Sequence, residues 1–442
     1  MGTRLRRFCE RPRAWGAAAF FLTVCLLLGH YAVKYGLNVA PSPAGDEFSY
    51  DSIGWNLAHG AGYAEGGDDP EFYLLYDQAN AFDRQHVANR VNQKPERVAY
   101  RPPLFPVLLA GLNTVFGRQF WAVRTLNVLA TAGTCGLLVW YLTKTHRSGV
   151  ALIVFAMFLV VDTRTRLYGR AILTEATATF LTTAATVVLI HLGTRVQLKS
   201  VILLGIIVGM MVLDRTVFAL WLPGLAVIVF VLSWRAPADP ATNAGKHRWR
   251  NGLSMTLVFL TAAGFVVLPW AVRNVSVLGV MMPLGTQGMA QLPAGFSDLA
   301  VENRGVWDLE PSKQLEQLID DKSMTRLERD VARAELGRTT AFRWIGEHPG
   351  TSIRLAGMKI WQEYRPRSWT EYLIGTSALV GLLLSLGRND TRIFLTLHAV
   401  SCFSIGCTWS VEGRFVAPLV FSIHVLAAVA LVAPFGVIRR RT

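Results

Sequence analysis

Acidic residues and arginines recur together where this chain leaves its apolar stretches. Gly45-Asp46-Glu47 opens one polar segment and Tyr100-Arg101-Pro102-Pro103 closes it. Residues 162–175 hold Asp162, Arg164, Arg166, Arg170 and Glu175; Arg273-Asn274 ends an apolar run, and Glu412-Gly413-Arg414 sits between two more. A carboxylate can take a proton from a hydroxyl, and a guanidinium presents a planar fork matching two phosphate oxygens. Together they suit transfer of a group from a phosphate to a hydroxyl. Plainer readings stand beside this one. Asp46 could cap a helix, Arg101 could snorkel to headgroups, and the 162–175 charges could form interhelical ion pairs. Asp214-Arg215 reads as a local pair.

The elements that must position these residues are membrane helices. Of 442 residues, 52% are hydrophobic and 17% charged, against about 25% charged in a soluble globular protein. Apolar runs fall near 14–33, 119–142, 149–167, 172–193, 200–214, 216–234, 252–271, 370–387, 391–410 and 414–436. Several reach the roughly 20 residues a helix needs to cross a bilayer. A soluble enzyme, a fibrous protein and a disordered tail are excluded. The expected fold is an all-α polytopic membrane protein of about ten transmembrane helices.

The segment 102–117 is apolar but short and opens with two prolines, so it is expected to be re-entrant or interfacial. With that parity, Lys144, Arg147, Arg195, Lys199, the 234–250 loop, Arg388, Arg392 and Arg439–Arg441 share the cytoplasmic side, as the positive-inside rule requires. Both termini are then cytoplasmic, including the five-arginine stretch 1–13, which precedes a retained first span rather than a cleaved leader. The polar segments 34–118, 162–175, 214–215, 271–369 and 412–414 sort to the external face of an inner (plasma) membrane. An external active site follows as the working expectation.

The net charge of +14 is explained by the same loops, so anionic lipid headgroups are expected as partners and nucleic acid is not. The five cysteines form no CxxC or Cys/His cluster, and structural zinc is not expected. Three regions are expected: 1–270, a transmembrane catalytic module with the first external loop at 34–118; 271–369, external and mostly helical; and 370–442, C-terminal spans. In the first loop a helix from Asp46 to about Ala58 carries Tyr50, Ile53 and Leu57 as an apolar stripe, suggesting a helix on the membrane surface. Glu47 and Asp51 stand four apart, a spacing at which like charges repel. Residues 311–345 read as one or two amphipathic helices, and Ile353, Ile360 and Trp361 as another.

Six segments in order bring a family into view: GDEFSYDSIGWNLAHGAGY at 45–63, YRPPLFPVLLA at 100–110, LYGRAILTEA at 167–176, PWAVRNVSVLGVMMPL at 269–284, FRWIGEHPGTSIRLAGMKIW at 342–361 and EGRFVAPL at 412–419. The chain resembles the GT-C fold glycosyltransferases, specifically bacterial relatives of the dolichyl-phosphate-mannose protein mannosyltransferases and of the aminoarabinose transferase of lipid A. That resemblance implies a GT-C-type bundle and a polyprenyl-phosphate sugar as donor, with a lipid, glycan or protein as acceptor. It places the catalytic carboxylate at Asp46, with Glu47 beside it, and a second at Glu175, where relatives often carry Asp. Glu175 would orient the acceptor or, with Asp46, hold a divalent metal. Arg101, Arg166, Arg170, Arg273, Asn274 and Arg414 form the expected donor-phosphate set. The competing readings are a polysaccharide polymerase or ligase and a lipid-linked sugar transporter (flippase). A transporter calls for mid-membrane charges and two related halves, whereas the polar residues here gather at span ends.

Overall fold

The structure, a computed structural model, describes residues 11–41, 45–79, 93–145, 147–236, 244–319 and 323–435. Arg4, Arg6, Arg7, Cys9, Asp83, Arg84, His86 and Arg439–Arg441 lie outside the described residues, as do the side chains of Asp77, Arg164 and Lys246.

Helices dominate. In chain order they are α1 (Pro12–Lys34), α2 (Asp46–Ala58), α3 (Pro70–Ala79), α4 (Leu104–Phe116), α5 (Phe120–Lys144), α6 (Ser148–Ala156), α7 (Thr163–Arg170), α8 (Glu175–Leu192), α9 (Leu198–Asp214), α10 (Leu222–Arg235) and α11 (Ala244–Leu278). Short helical turns follow, then α12 (Glu310–Leu318), α13 (Arg326–Glu347), α14 (Pro349–Tyr364), α15 (Trp369–Ser385), α16 (Asn389–Gly406) and α17 (Val420–Val432). Ala64–Glu65 and Glu96–Arg97 pair as short antiparallel strands, β1 and β2.

Each of the ten apolar runs contains a helix. Among the described residues, five have the length and hydropathy to cross a membrane unaided: α1, α5, α8, the 216–235 stretch ending in α10, and α11 from Arg248. The run expected at 149–167 stops sooner, because a π-turn over Met157–Val161 closes α6 and Asp162 then turns extended. In lipid, helices associate through close packing of small residues. At the crossing of α1 and α5, a Cβ on Gly16 would lie 2.9 Å from the Gly136 carbonyl oxygen, and the reverse holds equally. Gly205 and Gly209 of α9 meet the backbone of α11 in the same way. The main apolar core fills the space among α5, α6, α8, α9, α16 and α17.

The first loop departs from a surface helix. All residues from Phe48 to Asn56 of α2 are buried, because α4 covers the Tyr50 side and the aromatic face of α3 covers Phe48 and Trp55. Gly54 marks the crossing with α4: a Cβ there would stand 2.6 Å from Leu109 Cβ and 3.3 Å from the Pro106 carbonyl oxygen. Gly54→Val is therefore expected to destabilise the protein by about 1–3 kcal/mol through overpacking. Thermal unfolding in detergent reads this, and an unchanged midpoint would count against the crossing.

Helix α4 has 13 residues, about 20 Å at 1.5 Å per residue, against a hydrocarbon core of about 30 Å. Both its flanks return to α2: Arg101 reaches Asp46 and Arg118 reaches Asp51. Both ends of α4 are thus tied to the same helix. Beyond α11, Thr325 and Glu328 form a capping box that starts α13, as the T-x-x-E pattern dictates.

The interhelical connections sort to two ends of the bundle. At one end, residues from 46, 101, 175, 215 and 414 touch one another. At the other, Arg147 pairs with Asp390, and Asn389 donates to the Ile190 carbonyl.

Candidate active site

Asp46 is the first helical residue of α2. Gly45, at φ 83°, makes the turn into the helix, and no side chain caps it. The Asp46 carboxylate is thus free of the capping role and faces two guanidiniums. Arg101 Nη2 donates to Oδ1 at 2.5 Å, and Arg414 Nη1 donates to Oδ2 at 2.7 Å.

The prolines after Arg101 leave the carbonyls of Arg101 and Pro102 to accept from the Tyr63 hydroxyl, at 3.0 and 3.1 Å. The guanidinium of Arg101 lies about equally over the rings of Tyr50 and Tyr100. Gln287, with its amide oxygen turned inward, accepts from Arg101 Nη1 at 3.0 Å. Arg101 is held through its two Nη atoms and the flanking rings, while its Nε is buried without a hydrogen-bond partner.

Glu175 opens α8. The hinge before it is tied down twice, by Asn127 donating to the Ala171 carbonyl and by the Ile172 amide donating to Glu47 Oε1 at 2.8 Å. Glu175 Oε1 accepts from Arg414 Nε and, at 3.3 Å, from Arg215 Nη1. Arg414 therefore spans both acids. Arg215 turns to Glu175 rather than pairing locally, while Asp214 accepts from the Thr177 hydroxyl at 2.8 Å.

Three guanidiniums against two carboxylates leave this cluster with one surplus positive charge. The Asp46 and Arg414 side chains are 29% and 21% exposed, whereas Glu175 is 1% exposed, so the cluster opens on the Asp46 side. Burial pushes the Asp46 carboxyl up, but Arg101 and Arg414 together outweigh it and hold it well below the usual carboxylate range. Burial would likewise lower Arg101 and Arg414, yet the acids beside them hold both above the usual arginine value. The site offers an anion two guanidiniums at the cost of weakening their hold on Asp46.

The other expected residues lie outside this ion-pair cluster. Glu47 fixes the hinge, as above. Arg273 is half-buried against Tyr63 and Trp270 and donates to Asn274, whose amide donates to the Pro283 carbonyl. That turn seats Thr286 on the Ala99 carbonyl, so Arg273 and Asn274 shape the approach to Arg101. Arg170 stacks on Tyr35, and the Arg166 carbonyl accepts from the Tyr31 hydroxyl; neither guanidinium joins Asp46 or Glu175.

Sequence reasoning missed three supports. Asp51 does not face Glu47 in repulsion but takes both Nη atoms of Arg118, at 2.7 and 2.6 Å, within the rings of Phe72 and Phe120. Glu65 accepts from Ser49, Tyr100 and Arg326, joining the first loop to α13. Glu363 gathers the amides before and after Arg414.

Magnesium and calcium take six or more oxygen ligands, water included, and zinc takes about four nitrogen, sulfur or oxygen ligands. Asp46 and Glu175 are instead separated by the Arg414 guanidinium, and no third acid, histidine or cysteine joins them among the described residues. This donor set fits guanidinium rather than a metal ion.

The architecture is the GT-C fold. Residues 96–276 match the family model for dolichyl-phosphate-mannose-protein mannosyltransferase, a segment that contains Arg101, Glu175, Arg215 and Arg273. The chain is similar to the oligosaccharyltransferase of Archaeoglobus fulgidus tethered to an acceptor peptide containing the NVT sequon, at TM-score 0.53 and 14% identity, over 96% of this chain and 50% of that one. The same enzyme in complex with zinc and sulfate gives 0.50 and 12%, over 95% and 49%. ArnT from Cupriavidus metallidurans bound to undecaprenyl phosphate gives 0.41 and 13%, over 94% and 78%. The chain thus spans about half the length of the oligosaccharyltransferase. No curated protein matches the sequence.

Proposed function

We propose that this multi-pass membrane protein is a glycosyltransferase, moving a sugar from a polyprenyl-phosphate donor to an acceptor hydroxyl on the extracytoplasmic face. The observation that carries the reading is Arg414 lying between Asp46 and Glu175, with Arg101 on the far side of Asp46. The mannosyltransferase-family segment and the GT-C fold support it. Nucleotide sugars are cytoplasmic, so an external transferase takes a donor already carried across the membrane on a lipid.

In the proposed reaction the acceptor oxygen bonds to the anomeric carbon as the carbon–oxygen bond to phosphate breaks. The electron pair leaves with polyprenyl phosphate. Arg101 and Arg414 hold the departing oxygens, where preset positive charge is worth most, and Asp46 takes the acceptor proton and returns it to water. Donor phosphate competes with Asp46 for both guanidiniums. Binding therefore loosens the pairs that depress the Asp46 carboxyl and raises its proton affinity as the reaction needs it. Glu175 anchors Arg414 from below. Arg273→Ala is expected to raise the donor KM with a smaller change in kcat, as steady-state kinetics would show; an Arg273 in the reacting cluster would lower kcat strongly instead.

Mass spectrometry of lipid-linked sugar incubated with the protein in nanodiscs tests the reading. Free polyprenyl phosphate and a glycosylated acceptor are expected. Recovery of intact donor on the opposite side of sealed vesicles, chemically unchanged, would make the protein a transporter.

A further inference from the structure

Helix α14 carries Lys359 and Glu363 four residues apart, so they share one face. Both are buried, at 0% and 1% exposure. They hold the chain between α16 and α17 rather than each other. Lys359 Nζ donates to the carbonyls of Gly406 and Thr408, at 3.3 and 2.7 Å, and rests over the Phe296 ring. Glu363 Oε1 accepts from the Ser410 hydroxyl at 2.9 Å and the Val411 amide at 2.5 Å, and Oε2 from the Gly413 and Phe415 amides at 2.9 and 3.0 Å.

Four donors on one carboxylate form a charge-assisted set, each bond stronger than its neutral counterpart. The set accompanies an unusual backbone. Glu412 lies at φ 54°, a left-handed conformation that a non-glycine residue keeps only where the surroundings impose it, and Gly413 follows at φ 99°. Arg414 follows immediately. Phe415 places its ring beneath the Arg215 guanidinium at 5.4 Å, so the same carboxylate sets the register of both arginines that meet Glu175. Gly305 and Trp307 grip Ser410 from the other edge.

We propose that Glu363, with Lys359 fixing the segment that leads in from Gly406, is the positioning residue that holds Arg414 across Asp46 and Glu175. The assignment rests on the transferase reading for its kinetic consequence, while its structural content stands apart from it. Segment 271–369 then acts on the chemistry without touching substrate.

A displacement near 1 Å in a group that orients substrate can cost about 10²-fold in rate. Glu363→Gln keeps the shape and removes the charge, and it is expected to lower kcat by about that factor. In an Arg414→Ala background the same change is expected to cost nothing more, because residues acting through one another are not additive. Ser410→Ala, which removes one donor of four, is expected to show a smaller loss with the same dependence on Arg414. Losses that multiply in the double variants would overturn the assignment. Hydrogen exchange of the 411, 413 and 415 amides is read in parallel and needs no turnover. Faster exchange there in Glu363→Gln supports the assignment; unchanged exchange overturns it. Should the unaltered protein consume no lipid-linked sugar, the transferase reading fails and the exchange result alone decides the positioning role.

Discussion

Asp46→Asn is expected to lower turnover of a polyprenyl-phosphate sugar by about 10²–10⁴-fold, the range general-base catalysis supplies. The amide keeps the size of the side chain and loses the ability to take a proton. Folding should survive, since Asp46 lies at the open edge of the cluster, with 29% of its side chain exposed. The pH profile carries a second test. Arg101 and Arg414 hold the free Asp46 carboxyl well below its ordinary value. A depressed carboxyl contributes stability above its unfolded value and loses that contribution as pH falls through the folded one. The kcat/KM profile should therefore show no acid limb from Asp46 at or above pH ~4, the ordinary range for a carboxyl, and the resting ion pairs should persist across that window. A single acid limb near neutrality, abolished by Asp46→Asn, would mean that Arg101 and Arg414 do not hold the Asp46 carboxyl low in the free protein, and a limb that persists in Asp46→Asn would place the base elsewhere.

Arg414→Ala should damage both activity and stability, and the two effects should separate. Glu175 is 1% exposed and relies on Arg414 and Arg215. Removing one partner of a buried charge typically costs about 3–5 kcal/mol, largely from the uncompensated charge left behind. Adding Glu175→Gln removes that charge, so the double variant should recover much of the thermal midpoint while turnover stays lost. Arg414→Lys should rescue poorly, because one ammonium cannot supply the fork that reaches both acids. Equal recovery of activity and stability in the double variant would reduce Arg414 to a structural role.

What could be read from the chain alone was the set of polar residues at helix ends. Asp46, Arg101, Glu175 and Arg414 stand out because a charged residue beside a membrane run is costly, and the structure brings those four together. The apolar runs and the short 102–117 segment were legible for a similar reason, since bilayer thickness sets helix length. The misreading of α2 has a specific cause. Tyr50, Ile53 and Leu57 make a stripe at helical spacing, but the opposite face carries Phe48 and Trp55, which are buried by α3. A helix covered on two sides leaves no single apolar stripe to find. Arg118 with Asp51, Arg326 with Glu65 and Glu363 with the 410–415 amides were invisible because nothing local links their partners. Such pairs are joined by the fold alone. The same holds for Arg215, whose nearest acid in sequence, Asp214, is taken up by Thr177.

The competition between a carboxylate and a phosphate for the same two guanidiniums is tested most directly by the affinity of polyprenyl phosphate for Asp46→Asn in nanodiscs. Relief of that competition predicts tighter binding than to the unaltered protein, with catalysis lost. Weaker binding would mean that Asp46 and the lipid phosphate do not share Arg101 and Arg414, and the proposed site would fall with it.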